Sequence, residues 1–436
     1  MEVPEDEEAP GQLGGDVERQ RHWSRSEARF WFVSLFCGTC LLYCARMAMP
    51  VCAVSMATAF HWSKIDTGLV LGGFFWGYCF TQILGGHASD KVGGERVLVL
   101  SAALWSTVTM VTPLLSRLSS HSVLSMTLAR FLMGLLQGVF FPSLASLCSQ
   151  RVLEAERGSL MSAIHSGTYL GTLLAGGLGS VLLELYSWEL LFYSVGAMSG
   201  LWALVVSNFL LRDEKVVVQK KPQGTMSRTR WLSLCQKPSV WSLVLAHTCM
   251  SSSSYMLLSW LPTYFDETFP MESGSIYNVV PWLVAIPVVL CSGWMSGVLL
   301  SRGHSLSTVR KVMQFIAMAV SSLFLVLLSG TTSITAAVTY VTIAVSASTF
   351  SSCGTSVNVQ DLTPSCAGAL YGFMNMLGAF MGLLTVSFSG YLIEVTSSWA
   401  MVFSLITLIN TVGLGIFLVF GDTRRVDLDL HSTVDV

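Results

Sequence analysis

Long apolar stretches alternate with short polar ones along the chain, and the alternation runs twelve times. Apolar runs fall near residues 30–50, 67–86, 97–116, 123–147, 158–183 and 189–211. A second set falls near 240–262, 276–299, 309–329, 334–357, 366–392 and 399–420. Each is close to the roughly 20 residues that a helix needs to cross the hydrocarbon of a bilayer. The pattern predicts twelve transmembrane helices and no strands.

The fourth run departs from this uniformity. It contains Arg130 within Ala129-Arg130-Phe131-Leu132-Met133-Gly134. At 3.6 residues per turn, Arg130, Gly134, Gln137, Gly138 and Phe141 share one face. An arginine inside a span is costly and by default marks a functional site. That face reads as the wall of a polar cavity, with the two glycines as gaps for close approach. In the alternative, Arg130 snorkels to the nearer surface or pairs with a buried acid.

Composition agrees with a polytopic membrane protein. Of the 436 residues 52% are hydrophobic and 11% are charged, against about 25% charged in soluble domains, and the mean hydropathy is +0.62. The net charge of −2 gives no reason to expect nucleic acid as a partner. The eleven cysteines lie mostly in apolar spans and read as small hydrophobes. No Walker loop, metal-ligand cluster or catalytic triad occurs, so the chain does not read as an enzyme. Residues 1–28 read as a disordered tail with no cleavable signal.

Charge sets the expected orientation. Twenty of the 24 Lys and Arg residues fall on one side of the twelve-span layout: in the two tails, the 2–3, 4–5 and 8–9 loops and a basic central loop at 212–238. By the positive-inside rule both termini are cytosolic. The central loop separates two bundles of six helices, residues 29–211 and 239–420, with a C-terminal tail at 421–436. The halves resemble each other. Gly179 to Glu184 and Trp188 close the fifth span, and Gly390 to Glu394 and Trp399 close the eleventh, an offset of about 210 residues. Such a duplication is the layout of an alternating-access transporter, with substrate held near the midplane between the halves.

After span 2 the chain reads Gly86-His-Ala-Ser-Asp90-Lys91-Val-Gly93-Gly94-Glu95-Arg96. Glycines permit a tight turn there, and Asp90 can pair with a basic residue or cap a neighbouring helix. The loop resembles the signature of the major facilitator superfamily. The corresponding loop after span 8 starts at Gly293 but has Gly297 at the place of the acid. Phe74-Phe75-Trp76-Gly77-Tyr78, Arg130 with Gly134 and Gly138, and Asn358-Val-Gln-Asp361-Leu-Thr-Pro364 resemble the organic-anion branch that includes the phosphate transporters, sialin and the vesicular glutamate transporters. Within that branch Leu41 to Arg46, Gly134 to Val139, Asn278 to Pro287 and Ser356 to Gly368 are most similar to the nucleotide carriers. Compared with the glutamate carriers, Leu71, Gln137 and Met250 stand where ionisable groups are expected.

The resemblance implies a major facilitator fold that moves ATP, ADP, GTP and other nucleotides into secretory vesicles or lysosomes. The drive would be the potential built by a vesicular proton pump. It implies no cofactor, with chloride as an activator. The residues themselves agree on the sign of the substrate. Arg46 lies about 24 Å of helix rise from Phe30, and Arg130 lies about 9–12 Å from the other end of span 4. Both sit at similar depth with no acid beside them, and a guanidinium fork suits phosphate oxygens. Tyr78 and Gln82 share a face of span 2 and can add a ring and a hydrogen bond, although Tyr78 also fits ordinary packing. Asn375 is a further polar candidate. His165 reads either as a satisfied core histidine or as a proton relay, and Asp361 as a helix-end structural acid. Those two would be the coupling groups of the competing reading, a proton- or sodium-coupled organic-anion or phosphate symporter. A receptor on the same fold would leave the arginine cavity unexplained.

Overall fold

The computed structural model describes residues 23–62, 64–118, 121–213, 234–269 and 275–426. The first half comprises α1 (Arg25–Phe60), α2 (Lys64–Val92), α3 (Gly94–Leu118), a divided α4, α5 (Glu154–Leu185) and α6 (Trp188–Asp213). The second comprises α7 (Pro238–Thr268), α8 (Ser275–Ser301), a divided α9, a divided α10, α11 (Ala367–Thr396) and α12 (Trp399–Phe420). No strand occurs among the described residues. Most of the basic central loop, the outer parts of both tails and the side chains of Glu184 and Glu394 lie outside the described residues.

Eleven of the helices are long and apolar enough to cross a membrane by length and composition. The remaining one, α7, carries His247 and the run Ser251-Ser252-Ser253-Ser254. These serines bond inwards: Ser252 and Ser254 to the carbonyls of Thr248 and Met250, and Ser253 to Asn410 Oδ1 at 2.7 Å. Three of the four serine hydroxyls of this polar helix are therefore satisfied within the protein.

The tail was expected to run to residue 28, but α1 begins at Arg25. The reason is a capping box: the Ser24 hydroxyl accepts from Glu27 N, and the Glu27 carboxylate accepts from Ser24 N at 2.7 Å. The fourth apolar run is two helices, α4a (Ser122–Gly138) and α4b (Phe140–Arg151). Pro142 lacks the N–H that would bond to Gly138 O, so the helix resets at Val139. Similar resets divide α9 and α10. A π-helical turn at Ile316–Val320 joins α9a (Leu306–Phe315) to α9b (Ser321–Ser329). A 3₁₀ turn at Thr349–Ser352 joins α10a (Ile334–Ser348) to α10b (Thr355–Leu362).

The internal repeat is visible in packing. Trp188 opens α6 and meets Phe192 one turn on, 5.8 Å away; Trp399 opens α12 and meets Phe403 one turn on, 6.3 Å away. Across the halves the main packing is α5 on α8 and α2 on α11. Within the first half, α2 and α4a touch backbone to backbone. A Cβ on Gly77 would strike Phe131 O, and one on Gly134 would strike Phe74 O. This contact fixes the depth at which α2 and α4a present their polar side chains to the centre.

Candidate substrate-binding site

Arg46 from α1 and Arg130 from α4a meet in the interior of the first half. Arg130 Nη1 donates to the backbone carbonyl of Arg46 at 3.4 Å. Arg46 Nε donates to Gln137 Oε1 at 3.2 Å, and Gln137 Nε2 donates to Leu42 O at 3.1 Å. Gln137 is thus clamped between the two helices, and it orients Arg46. Three rings surround the Arg46 guanidinium: Tyr43 at 4.6 Å, Tyr78 at 4.9 Å and Phe74 at 5.0 Å from ring centroid to Cζ. Arg130 lies over the same Phe74 ring at 4.8 Å. Phe74 therefore packs against two like charges.

Rings and neutral acceptors are all that face those charges among the described residues. Among the described residues no carboxylate reaches either guanidinium. Arg46 Nη2 and Arg130 Nε are buried with no hydrogen-bond partner. An unpaired buried charge is strongly unfavourable, and two of like sign are more so. The arrangement fits a polyanion that enters from outside and accepts from the free N–H groups. Tyr255 of α7 and Tyr371 of α11 lie within electrostatic range of this cluster from the second half.

The Asp90 loop sits at the end of the bundle that carries both termini. Asp90 Oδ1 and Oδ2 accept from Gly368 N at 3.1 Å and Ala369 N at 2.9 Å. Of the two roles open to Asp90, the structure has the cap: its carboxylate closes the N-terminus of α11 in the other half. Gly86 brings α2 against Gly368, and Gly93 takes a positive φ of 108° to turn into α3. Lys91 and Arg96 lie exposed beside the turn.

The profile of the Major Facilitator Superfamily matches residues 35–386. The chain is 47% identical over 434 residues to the voltage-gated purine nucleotide uniporter SLC17A9 of Homo sapiens, covering 98% of each. It is 30% identical over 428 residues to the chloroplastic ascorbate transporter of Arabidopsis thaliana, covering 94% of this chain and 78% of that one. The chain belongs to the major facilitator superfamily, in the SLC17 anion transporter family. Among solved structures the proton:xylose symporter XylE aligns with a TM-score of 0.73 at 13% identity, over 91% of this chain and 97% of that one. That likeness is one of fold.

Several positions in this SLC17 chain differ from expectation. Gly134 and Gly138 are gaps for close approach, as expected, but what fills them is the backbone of α2 and Thr81 Oγ1 rather than a cavity. Phe141 follows the break at Val139 and is buried, with its ring 6.4 Å from Tyr43 and 5.8 Å from His165. Met250 packs with Met318 and Leu414. Leu71 packs on the first-half core. Of the three neutral positions, only Gln137 touches an arginine of the site. Gln82 is fully buried, and its carboxamide has no hydrogen-bond partner where α2 meets Gly372 of α11.

The two coupling candidates are engaged elsewhere. Asp361 Oδ1 accepts from Arg157 Nη1 at 2.9 Å, and Oδ2 accepts from Arg310 Nε at 2.8 Å. All three side chains are buried. Arg157 belongs to α5, Arg310 to α9a and Asp361 to α10b, so this triad ties the halves together. Arg157 also donates to Gln360 O and Ser149 O. His165 Nδ1 lies 2.8 Å from Met161 O one turn back in α5. The repeat of the Asp90 loop has no acid, and a contact of small residues replaces it: Ser159 Oγ donates to Gly293 O at 3.2 Å.

Sequence reasoning missed Tyr43, Phe74, Tyr255 and His247. The first two carried a legible signal, since Tyr43 precedes Arg46 by three residues and Phe74 precedes Tyr78 by four, both neighbours on a helix face. Asn375 does not face the arginines directly but pairs with His247 of α7, 3.0 Å from Asn375 Oδ1.

Proposed function

We propose that this chain is a uniporter for nucleotide anions, with ATP, ADP and GTP as substrates and the membrane potential as its drive. The observation that carries this reading is the Arg46–Arg130 pair, Arg130 buried and Arg46 half-buried, with buried unpartnered N–H groups and no carboxylate beside them among the described residues. Relatives called purine nucleotide uniporters, at 47% and 48% identity over more than nine-tenths of the chain, support the same substrate class.

The mechanism follows from the geometry. The phosphate chain accepts from the free N–H groups of Arg46 and Arg130, while Gln137 and the Tyr43, Phe74 and Tyr78 rings hold the guanidiniums in place. Binding cancels the repulsion between the two cations, and this favours entry of an anion over an empty site. The Asp90 cap, the Arg157–Asp361–Arg310 triad and the Ser149 bond to Pro364 O close the terminal end. Reorientation requires these ties to part so that the site opens on that side. With cytosolic termini, as the charge distribution supports, the latched state faces the lumen of a secretory vesicle or lysosome. A proton pump that makes the lumen positive then draws the anion in.

A symporter finds less support. Both Asp361 oxygens are held by arginines and one His165 nitrogen is turned to its own helix, so neither stands ready as a proton carrier beside the site. Purified protein in liposomes, energised with a potassium–valinomycin potential, should accumulate labelled ATP above protein-free vesicles. No accumulation under a lumen-positive potential would reject the proposal.

A further inference from the structure

The second half supplies a pair of side chains that the phosphate chemistry does not use. His247 Nε2 faces Asn375 Oδ1 at 3.0 Å. His247 is buried, and its ring lies 5.8 Å from that of Tyr371. Asn375 is only partly buried. The pair is held by close packing of α7 on α11: His247, Ser251 and Tyr255 recur every four residues, and Gly378 and Gly382 let them approach. A Cβ on Gly378 would lie 3.0 Å from Ser251 Cβ, and one on Gly382 would meet the Tyr255 ring.

A series of rings leads from the arginine site toward this pair, and Gly372, three residues before Asn375 in α11, meets Gln82 of α2, one turn from Tyr78. Tyr43, which covers Arg46, lies 6.4 Å from Phe141, and Phe141 lies 5.8 Å from His165. One end of the series holds two guanidiniums with free N–H groups. The other holds a carboxamide, an imidazole and tyrosines, with no fixed charge.

We infer that His247 and Asn375 form the nucleobase end of the site and select purines through N7, with the phosphate chain directed to Arg46 and Arg130. The inference rests on the nucleotide reading above. Its chemistry is specific. With Asn375 Oδ1 taken by the His247 N–H, the Asn375 amide nitrogen offers its two N–H groups to a ligand. Adenine and guanine both present N7 as an acceptor, whereas pyrimidines have no equivalent atom. The second lone pair of Oδ1 suits the adenine amine, and the second amide N–H suits guanine O6. Both purines are therefore accepted. His247 is a positioning residue: its N–H fixes which way the carboxamide faces.

The test is competition against labelled ATP uptake in proteoliposomes by GTP, CTP, UTP and inorganic tripolyphosphate. In wild-type protein GTP should compete about tenfold better than CTP or UTP, the scale expected from one well-placed bidentate contact. Asn375→Ala should bring that ratio close to one and leave tripolyphosphate competition unchanged. Asn375→Asp should do the same, since it keeps the shape and removes the donor, and it serves if the alanine variant fails to fold. His247→Ala should lose the ratio, and His247→Gln should restore most of it. A ratio that persists in both Asn375 variants overturns the inference. So does a loss of tripolyphosphate competition, which would place Asn375 at the phosphate end. Uptake of ATP without purine preference in wild-type protein overturns the base assignment alone, whereas absence of ATP uptake overturns the nucleotide reading with it.

Discussion

Arg130 donates to the backbone carbonyl of Arg46, and both guanidiniums lie over the Phe74 ring with no carboxylate among the described residues to balance them. On the proposed reading the empty site is unfavourable and a polyanion relieves it. Arg130→Ala should abolish nucleotide uptake while the protein still reaches the membrane, because truncating one partner of a buried charge pair costs about 2–5 kcal/mol of binding. Arg130→Lys should rescue poorly, since an ammonium lacks the planar fork. Uptake by reconstituted variants, normalised to protein in the liposomes, checks both.

Gln137 holds Arg46 through Nε at 3.2 Å without neutralising it. Gln137→Glu would place a carboxylate on that guanidinium and supply from inside the charge that substrate supplies from outside. ATP affinity should fall by tenfold or more, about 1.4 kcal/mol or above, while thermal stability is unchanged or higher. Gln137→Ala should weaken uptake less. Concentration dependence of uptake and a melting curve of each variant separate the two effects.

Asp361 is bound by Arg157 and Arg310 with all three side chains buried. Asp361→Asn should leave two buried guanidiniums without their carboxylate and cost about 3–5 kcal/mol of stability. The expected result is a large drop in melting temperature of purified protein. A stable Asp361→Asn carrier that has lost only its response to pH would favour proton coupling.

Asp90 accepts two backbone N–H groups at the start of α11, and bonds to a charged acceptor contribute about 1.5–3 kcal/mol each. Asp90→Ala should favour the state open at the terminal end. Cys366, buried one residue before α11, should then react faster with a membrane-impermeant thiol reagent from that side, measured peptide by peptide by mass spectrometry.

The elements were legible in the sequence because lipid imposes a simple rule on length and hydropathy. The depth match of Arg46 and Arg130 was legible too, since helix rise is fixed and spans alternate in direction. The breaks were harder: Pro142 acts at Val139, four residues from Gly138 and inside an otherwise continuous apolar run. Periodicity placed Gly134 and Gly138 on the face of Arg130 but could not say that α2 fills the space above them. The partners of Asp361 are 204 and 51 residues away in the chain, so only the packed bundle reveals them. Met250 illustrates the limit of resemblance: it stands where an ionisable group was expected, yet it packs against Met318 and Leu414. His247 lies in a serine-rich helix with no charged neighbour, and its pairing with Asn375 appears only when α7 and α11 are seen together.

The central claim is that a fixed pair of cations, without a proton carrier beside them, couples anion movement to the membrane potential. One charge crossing 100 mV is worth about 2.3 kcal/mol, so a nucleotide with three to four charges gains about 7–9 kcal/mol if it crosses the whole field. Arginines stay protonated throughout the physiological range, so the site itself has no proton switch. The decisive measurement separates the two gradients in proteoliposomes. Valinomycin sets the potential with pH clamped, and nigericin sets a pH step with the potential clamped. Labelled ATP uptake should follow the potential and be nearly unchanged by the pH step. Uptake that follows the pH step and ignores the potential would contradict the account and identify a proton symporter.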